Sequence, residues 1–145
     1  MCSYRSLCCF EDDQVGYKCI PNQFKKISPW SLGAYPAYSS YPASRLQDGI
    51  SSSFAGTHGA VDSHFSIDLG MEKPVRFVTI NLQSTVSKAA IRIDTNLCSD
   101  VPEVANVEFV VECNSYLSGR HVIFFHQLDS PQSLYAYEMH VYGDA

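Results

Sequence analysis

Hydrophobic and polar positions alternate through residues 64–82, HFSIDLGMEKPVRFVTINL. Phe65, Ile67 and Leu69 share one phase while Ser66 and Asp68 share the other, which is the period-two signature of a half-buried strand. Gly70 and Pro74 bracket a short polar turn, because Gly tolerates positive φ and Pro cannot donate to a ladder. Val75 and Phe77 open a second strand whose phase then slips to Val78, Ile80 and Leu82. Such a slip predicts either a bulge or burial on both faces. The segment thus predicts two central strands of a β-sandwich.

The flanking chain can be laid out around this pair. Ile91 and Ile93 alternate in a third strand at 89–94, and residues 96–102 form a connection carrying Cys98. Val107, Phe109 and Val111 alternate with Glu108 and Glu112 in a strand with one wet face, ending at Cys113. A turn at 114–119 leads to a short buried strand, HVIFF. In the last strand Tyr135, Tyr137, Met139 and Val141 share one phase, and Glu138 and His140 the other. Many short strands with no sustained 3.6-residue period predict an all-β, antiparallel β-sandwich. Leu46 to Gly49 predicts a turn in which Asp48 bonds its own backbone and Gly49 takes positive φ. The Tyr-, Ser- and Pro-rich stretch at 31–53 is compatible with low-complexity disorder or with aromatics laid onto the core.

Composition narrows the classes. A chain of 145 residues suits one domain, and 46% hydrophobic with 17% charged residues indicates a globular chain. A net charge of −5 argues against binding duplex nucleic acid, which calls for a basic face. No apolar run approaches the roughly 20 residues of a membrane span, and no N-x-S/T acceptor occurs. The first residues carry no apolar signal-peptide core, so the chain reads as cytosolic or as a mature piece of a secreted protein. Six cysteines without C-x-x-C pairs favour the second option, as a disulfide framework in an oxidising compartment rather than a zinc site. Cys2, Cys8, Cys9 and Cys19 permit three pairings, which the sequence does not distinguish. Residues 1–30 read as a cysteine-rich N-terminal arm packed on a sandwich at 31–145. Their pattern is also loosely similar to the end of a PAN/apple module.

Taken in order, several stretches resemble the F-type lectins and, more broadly, the galactose-binding-like jelly roll shared with discoidin domains. LQDG at 46–49, FSIDLG at 65–70, VRFVTINL at 75–82, SGRHVIF at 118–124 and LYAYEMHVYG at 134–143 stand where that family has its Asp-Gly turn and successive strands. The resemblance covers residues 34–143 and implies a jelly roll with a Cys98–Cys113 disulfide. It also implies a sugar site in the loops at one end, where His58, Gln83 and Lys88 occupy the expected positions, with His64 nearby. Of the family's two basic residues after the VTINL strand only Lys88 keeps the charge, and the adjacent cysteines of that loop are missing. Arg92-Ile-Asp94 spells the family's R-x-D but falls in the next strand. A structural calcium is implied beside the sugar site, held by Asp48, Glu138, the hydroxyl of Thr57 or Ser53, and the carbonyls of Arg45, Ile50 and Tyr137. Such a set suits a hard cation taking six to eight oxygens.

Three function classes follow. An extracellular glycan-binding module is the first. The second is a structural or adhesive module that has lost sugar binding and meets neighbouring extracellular modules, a reading that the missing basic residues favour. Catalysis is the weakest, with no G-x-S-x-G, H-E-x-x-H or phosphate-binding loop and five scattered histidines.

Overall fold

A computed structural model describes residues 20–144, apart from Asn22. Two 19-residue strands, β4 (His64–Leu82) and β7 (Glu108–His126), run antiparallel along their whole length. The other strands join their flanks: β1 (Phe24–Lys26), β2 (Ser31–Tyr35), β3 (Ala55–Gly56), β5 (Ala89–Ile93), β6 (Asn96–Val101) and β8 (Tyr135–Asp144). The hydrogen-bonded order is β1-β8-β4-β7-β5-β6, with β2 on β4 and β3 on β8. A short 3-10 helix, Ala43–Gln47, precedes the Asp48 turn.

The first half of β4 pairs with β2 and with the last residues of β7, which in turn pair with β5. Its second half pairs with β8 and with the start of β7. Buried residues of both halves, among them Phe65, Ile67, Val78, Ile80, Phe124 and Met139, belong to one core cluster. A single sheet whose two halves bury into the same core must fold over into two facing layers. The expected antiparallel β-sandwich is therefore present.

Residues 69–74 do not reverse the chain, contrary to the turn expected there. Between Asp68 and Lys73 β4 advances five residues while β7 advances two, and β7 makes the compensating excursion opposite Val75 and Phe77. Gly70, at φ 84°, supplies the positive φ of a bulge, and a bulge bends a strand without ending it. The same exchange makes 114–119 a distortion within β7 rather than the expected turn between strands. Residues 96–102, expected as a connection, hold β6. Asp94 in the left-handed region, φ 51°, closes a two-residue turn from Ile93 to its partner Asn96, a geometry Asp tolerates. In β8 the register slips between Asn81 and Leu82, so Ala136, Met139 and Val141 are buried while Tyr135 and Tyr137 are half-buried.

Both explanations of the phase slip in β4 hold. Val78, Ile80 and Leu82 enter the main core, while Phe77 joins a second cluster with Ile20, Phe24, Val110 and Tyr142. That cluster lies under β1, which pairs with β8, and the Ile27 N–H donates to the Val141 carbonyl at 2.8 Å. Residues 1–19, with the four N-terminal cysteines, lie outside the described residues. Cys98 of β6 and Cys113 of β7 are bonded and fully buried in the main core. The bond ties the outermost strand of one layer to the half of β7 that pairs in the other.

Candidate functional site

At one end of the sandwich the stretch 36–41 is laid against residues 55–58. His58 N–H donates to the Pro36 carbonyl at 3.2 Å, and Gly56 N–H to the Tyr41 carbonyl at 2.9 Å. This pairing sets up a run of aromatic rings. His58 stacks on Tyr38 with centroids 4.0 Å apart and planes 13° from parallel. Tyr38 meets Tyr41 edge-on at 4.8 Å, and Tyr41 stacks on Phe54 at 4.9 Å. Tyr135 and Tyr137, turned outward by the β8 slip, meet Phe54 edge-on, each at 5.8 Å. Gly56 permits the approach, since a Cβ there would lie 2.7 Å from the Tyr135 ring. Beside His58 and Tyr38 an open groove of about 440 Å³ is also lined by Leu32, Ala34 and Pro42.

Next to this run lies the Asp48 turn. Asp48 Oδ1 accepts the Ile50 N–H at 2.9 Å and Oδ2 accepts the Ser53 hydroxyl at 2.7 Å. Gly49, at φ 72°, donates its N–H to Glu138 Oε2 at 3.2 Å. The Ile50 N–H, then Ser53, hold the Asp48 carboxyl below its ordinary pKa, and the Glu138 carboxyl lies within hydrogen-bonding reach of it. Glu138 Oε1 is 2.8 Å from His140 Nε2. Arg45 points a guanidinium N–H at the Phe54 carbonyl, 3.5 Å away. Asp48, Ile50, Arg45 and Glu138 thus gather at one turn, with Tyr137 adjacent in β8. The Thr57 hydroxyl is buried and accepts the Leu134 N–H at 3.0 Å, whereas the Ser53 hydroxyl reaches Asp48. Among the described residues no group of three His, Cys, Asp or Glu side chains could hold a metal ion. A cation here would use two carboxylates and draw its remaining oxygens from a hydroxyl and backbone carbonyls. Two carboxylates this close, with a hydroxyl and backbone carbonyls around them, suit a hard cation that takes oxygen ligands.

The sugar candidates are distributed differently. His58 lines the groove beside Tyr38. Lys88, at φ 53°, lines a separate groove of about 300 Å³ with Asp100, Glu103 and Gln127. Gln83 is half-buried and its N–H donates to the Tyr135 carbonyl at 2.9 Å. His64 stacks on Tyr35 at 5.5 Å. His126 is buried, with Nε2 3.1 Å from the Ala60 carbonyl. Tyr38, Tyr41, Phe54 and Tyr135 were not expected at the site. For Tyr38 and Tyr41 the only signal was the density of tyrosines in the unperiodic stretch at 31–53, and Tyr135 was marked only by its phase in the last strand.

No protein-family description matches the chain, and no curated protein matches it. Solved structures do. A fucolectin from the serum of striped bass, Morone saxatilis, superimposes with a TM-score of 0.66 at 21% identity, covering 85% of this chain and 46% of that one. This chain therefore spans about half the length of that lectin. The family 32 carbohydrate-binding module of NanJ from Clostridium perfringens, solved in complex with galactose, gives 0.66 at 19% identity, covering 82% and 98%. Chitosan-binding module 2 of a Paenibacillus sp. IK-5 chitosanase/glucanase, solved with chitotriose, gives 0.64 at 12% identity, covering 78% and 95%. At these identities the likeness is one of fold: the chain has the antiparallel β-sandwich seen in these structures.

Proposed function

We propose that this chain is a carbohydrate-binding module, not a catalyst, which holds a glycan at the loop end of the sandwich. The observation that carries this is the run of rings from His58 through Tyr38 and Tyr41 to Phe54 and Tyr135, beside an open groove. Half-exposed aromatic faces take the C–H face of a sugar ring, and nearby polar groups fix its hydroxyls. His58 and Ser39 are the polar side chains on that groove, while the Gln83 backbone is tied to Tyr135 at the other end of the ring run. Lys88, in a separate groove, would meet a further unit of a longer glycan. Fucose-type recognition by a pair of guanidinium forks is disfavoured, since Gln83 and Lys88 stand where such forks would be and neither offers a planar bidentate donor.

Beside the glycan we place a structural calcium held by Asp48 and Glu138, the Ser53 hydroxyl and the carbonyls of Arg45, Ile50 and Tyr137, with Thr57 bracing the loop from inside. The ion would bridge the two carboxylates and would stiffen the turn under the aromatic run. The buried Cys98–Cys113 disulfide supports an extracellular setting among neighbouring modules, and among the described residues no helix is long and apolar enough to cross a membrane. A purely adhesive role is the second reading, favoured by the placement of His58 and Lys88 in different grooves.

A glycan array with calcium and with chelator tests the proposal. Retention of at least one glycan is expected, weakened about tenfold or more by Tyr38→Ala, as for a buried aromatic contact. No glycan retained in either condition would leave only the adhesive reading.

A further inference from the structure

The layer built from β2, β5, β6 and the adjoining halves of β4 and β7 has a second end, remote from the aromatic run. Trp30 stands there, the chain's single tryptophan, 71% exposed. A ring of that size is ordinarily well buried. Trp30 is nonetheless held firmly. Its N–H donates to the Asp68 carbonyl at 2.7 Å, and its Cβ lies 3.1 Å from where a Gly70 Cβ would be. The Arg120 guanidinium carbon is 5.4 Å from the ring centre, within cation–π range.

Arg120 is itself fixed by a bidentate pair with Asp68, Nε to Oδ1 at 2.7 Å and Nη2 to Oδ2 at 3.1 Å. His121, half-exposed, stands between Asp68 at 3.6 Å and Asp94 at 3.4 Å. Asp94 accepts the backbone N–H groups of Arg120 and His121 at 3.3 and 3.0 Å. Gly119 makes room for it, since a Cβ there would lie 2.6 Å from Asp94 Oδ2. Arg92 donates to the Asp94 carbonyl at 2.8 Å. A shallow groove of about 340 Å³ runs past Arg92, Asp94, Thr95 and His121.

Asp68 is paired with Arg120, and Asp94 with backbone N–H groups and His121, while Arg92 adds a guanidinium nearby, so the patch exerts little net pull on an anion or a cation. It offers a flat apolar ring edged by donors and acceptors at fixed positions. That combination matches a neutral sugar, whose C–H face stacks and whose adjacent hydroxyls each donate and accept. A protein contact would want a continuous apolar surface around the aromatic anchor; Met71, one residue past Gly70, is exposed, but the side chain laid against the ring is the charged Arg120. We propose that Trp30, Arg120 and His121, positioned by Asp68 and Asp94, form a second carbohydrate subsite for a neutral pyranose. The ligand class rests on the carbohydrate-binding reading above, while the location stands on this geometry alone. Two subsites at opposite ends let one module bridge glycan chains and gain avidity.

Because Trp30 is the only tryptophan, its emission reports on this end alone. The full chain is titrated with galactose, fucose, mannose and N-acetylglucosamine. A saturable emission change with at least one sugar is expected, retained in Tyr38→Ala and weakened tenfold or more in Arg120→Ala and in His121→Ala, both checked for folding by circular dichroism. In affinity electrophoresis through gels containing polysaccharides of these sugars, Trp30→Ala is expected to migrate faster than wild type. An emission unchanged by all four sugars while array binding persists overturns the second subsite and leaves the loop-end site standing. Loss of the emission change in Tyr38→Ala assigns it to the other end and overturns the inference. Unaltered sugar binding by Trp30→Ala with a shifted sedimentation coefficient makes the ring a protein contact, which also overturns it. Loss of all sugar binding by the wild-type chain removes both sites.

Discussion

The two ends of the sandwich solve opposite problems with similar residue types. At the loop end five aromatic side chains and His58 support one another, and two carboxylates, Asp48 and Glu138, are brought into contact. At the far end one aromatic ring stands open, and each carboxylate is matched by a cation or by backbone N–H groups. The first end is apolar where ligand would lie, with two carboxylates beside it that are held by N–H groups, a hydroxyl and His140 rather than by a guanidinium. The second is electrostatically complete and leaves its apolar face uncovered. An added cation should therefore change the first end and leave the second unmoved, while mutation of the exposed ring should cost binding and little stability.

The largest expected effect strikes both ends alike. Cys98 and Cys113 close a loop 15 residues apart in sequence and tie the two layers together. Replacing both with Ser should lower the unfolding free energy by about 3 kcal/mol, read by urea denaturation. A loss under about 1 kcal/mol would mean that the layers hold together without the bond. The next effect separates the ends. Calcium at a hundredfold its Kd should stabilise the wild type by about 2.7 kcal/mol. Glu138→Gln should lose that gain, and Asp68→Asn should keep it. Should Glu138→Gln respond to calcium as wild type does, the ligand set assigned to Asp48 and Glu138 is wrong.

A smaller contrast concerns the rings. Phe54 contacts Tyr41, Tyr135 and Tyr137, and such pairs add about 0.5–1.5 kcal/mol each beyond area burial. Phe54→Ala should cost about 1.5–4.5 kcal/mol on that basis. Trp30→Ala should stay within about 0.5 kcal/mol, as a surface substitution does. Equal losses in thermal melts would show that Trp30 is a structural residue rather than a waiting platform.

Much of the fold was legible because burial imposes a strict period on strands. Phe65, Ile67 and Leu69 could be placed from alternation alone, and the pairing of Cys98 with Cys113 followed from the family resemblance. The errors came where one residue type serves two geometries. Gly70 provides positive φ equally for a turn and for a bulge, so one bent strand read as two. β6 was hidden because its outward residues, Ser99 and Asp100, are also turn formers. The candidate site was less legible still. His58 and Lys88 could be named locally, but their separation into different grooves depends on how distant loops pack. The rings of Tyr38, Tyr41 and Phe54 have no sequence period. Their approach depends on Gly56 and on a one-residue slip in β8, neither of which leaves a mark in the pattern of hydrophobic positions.

The smallest effect is a pH dependence that tells the ends apart. Arg120, bonded to Asp68 and adding its positive charge, holds that carboxyl at about 2 against an ordinary 3.8, with the Gly70 N–H assisting. The folded state therefore gives up this proton more readily than the unfolded chain. The stabilisation is complete above about pH 4 and fades as pH falls toward 2. Arg120 is 43% exposed, so the contribution is partly screened and should shrink with salt. Melting curves of wild type and Asp68→Asn should therefore diverge as pH rises from 2 to 4 and run parallel above it. Asp48 is also depressed, chiefly by the Ile50 N–H and Ser53, so its own acid transition has the same sign. Calcium, however, should push the Asp48 transition to still lower pH, because the ion binds the ionised carboxylate, and should leave the Asp68 transition where it is. A calcium-dependent shift in Asp48→Asn, or its absence in Asp68→Asn, would reverse the assignment of which end takes the cation.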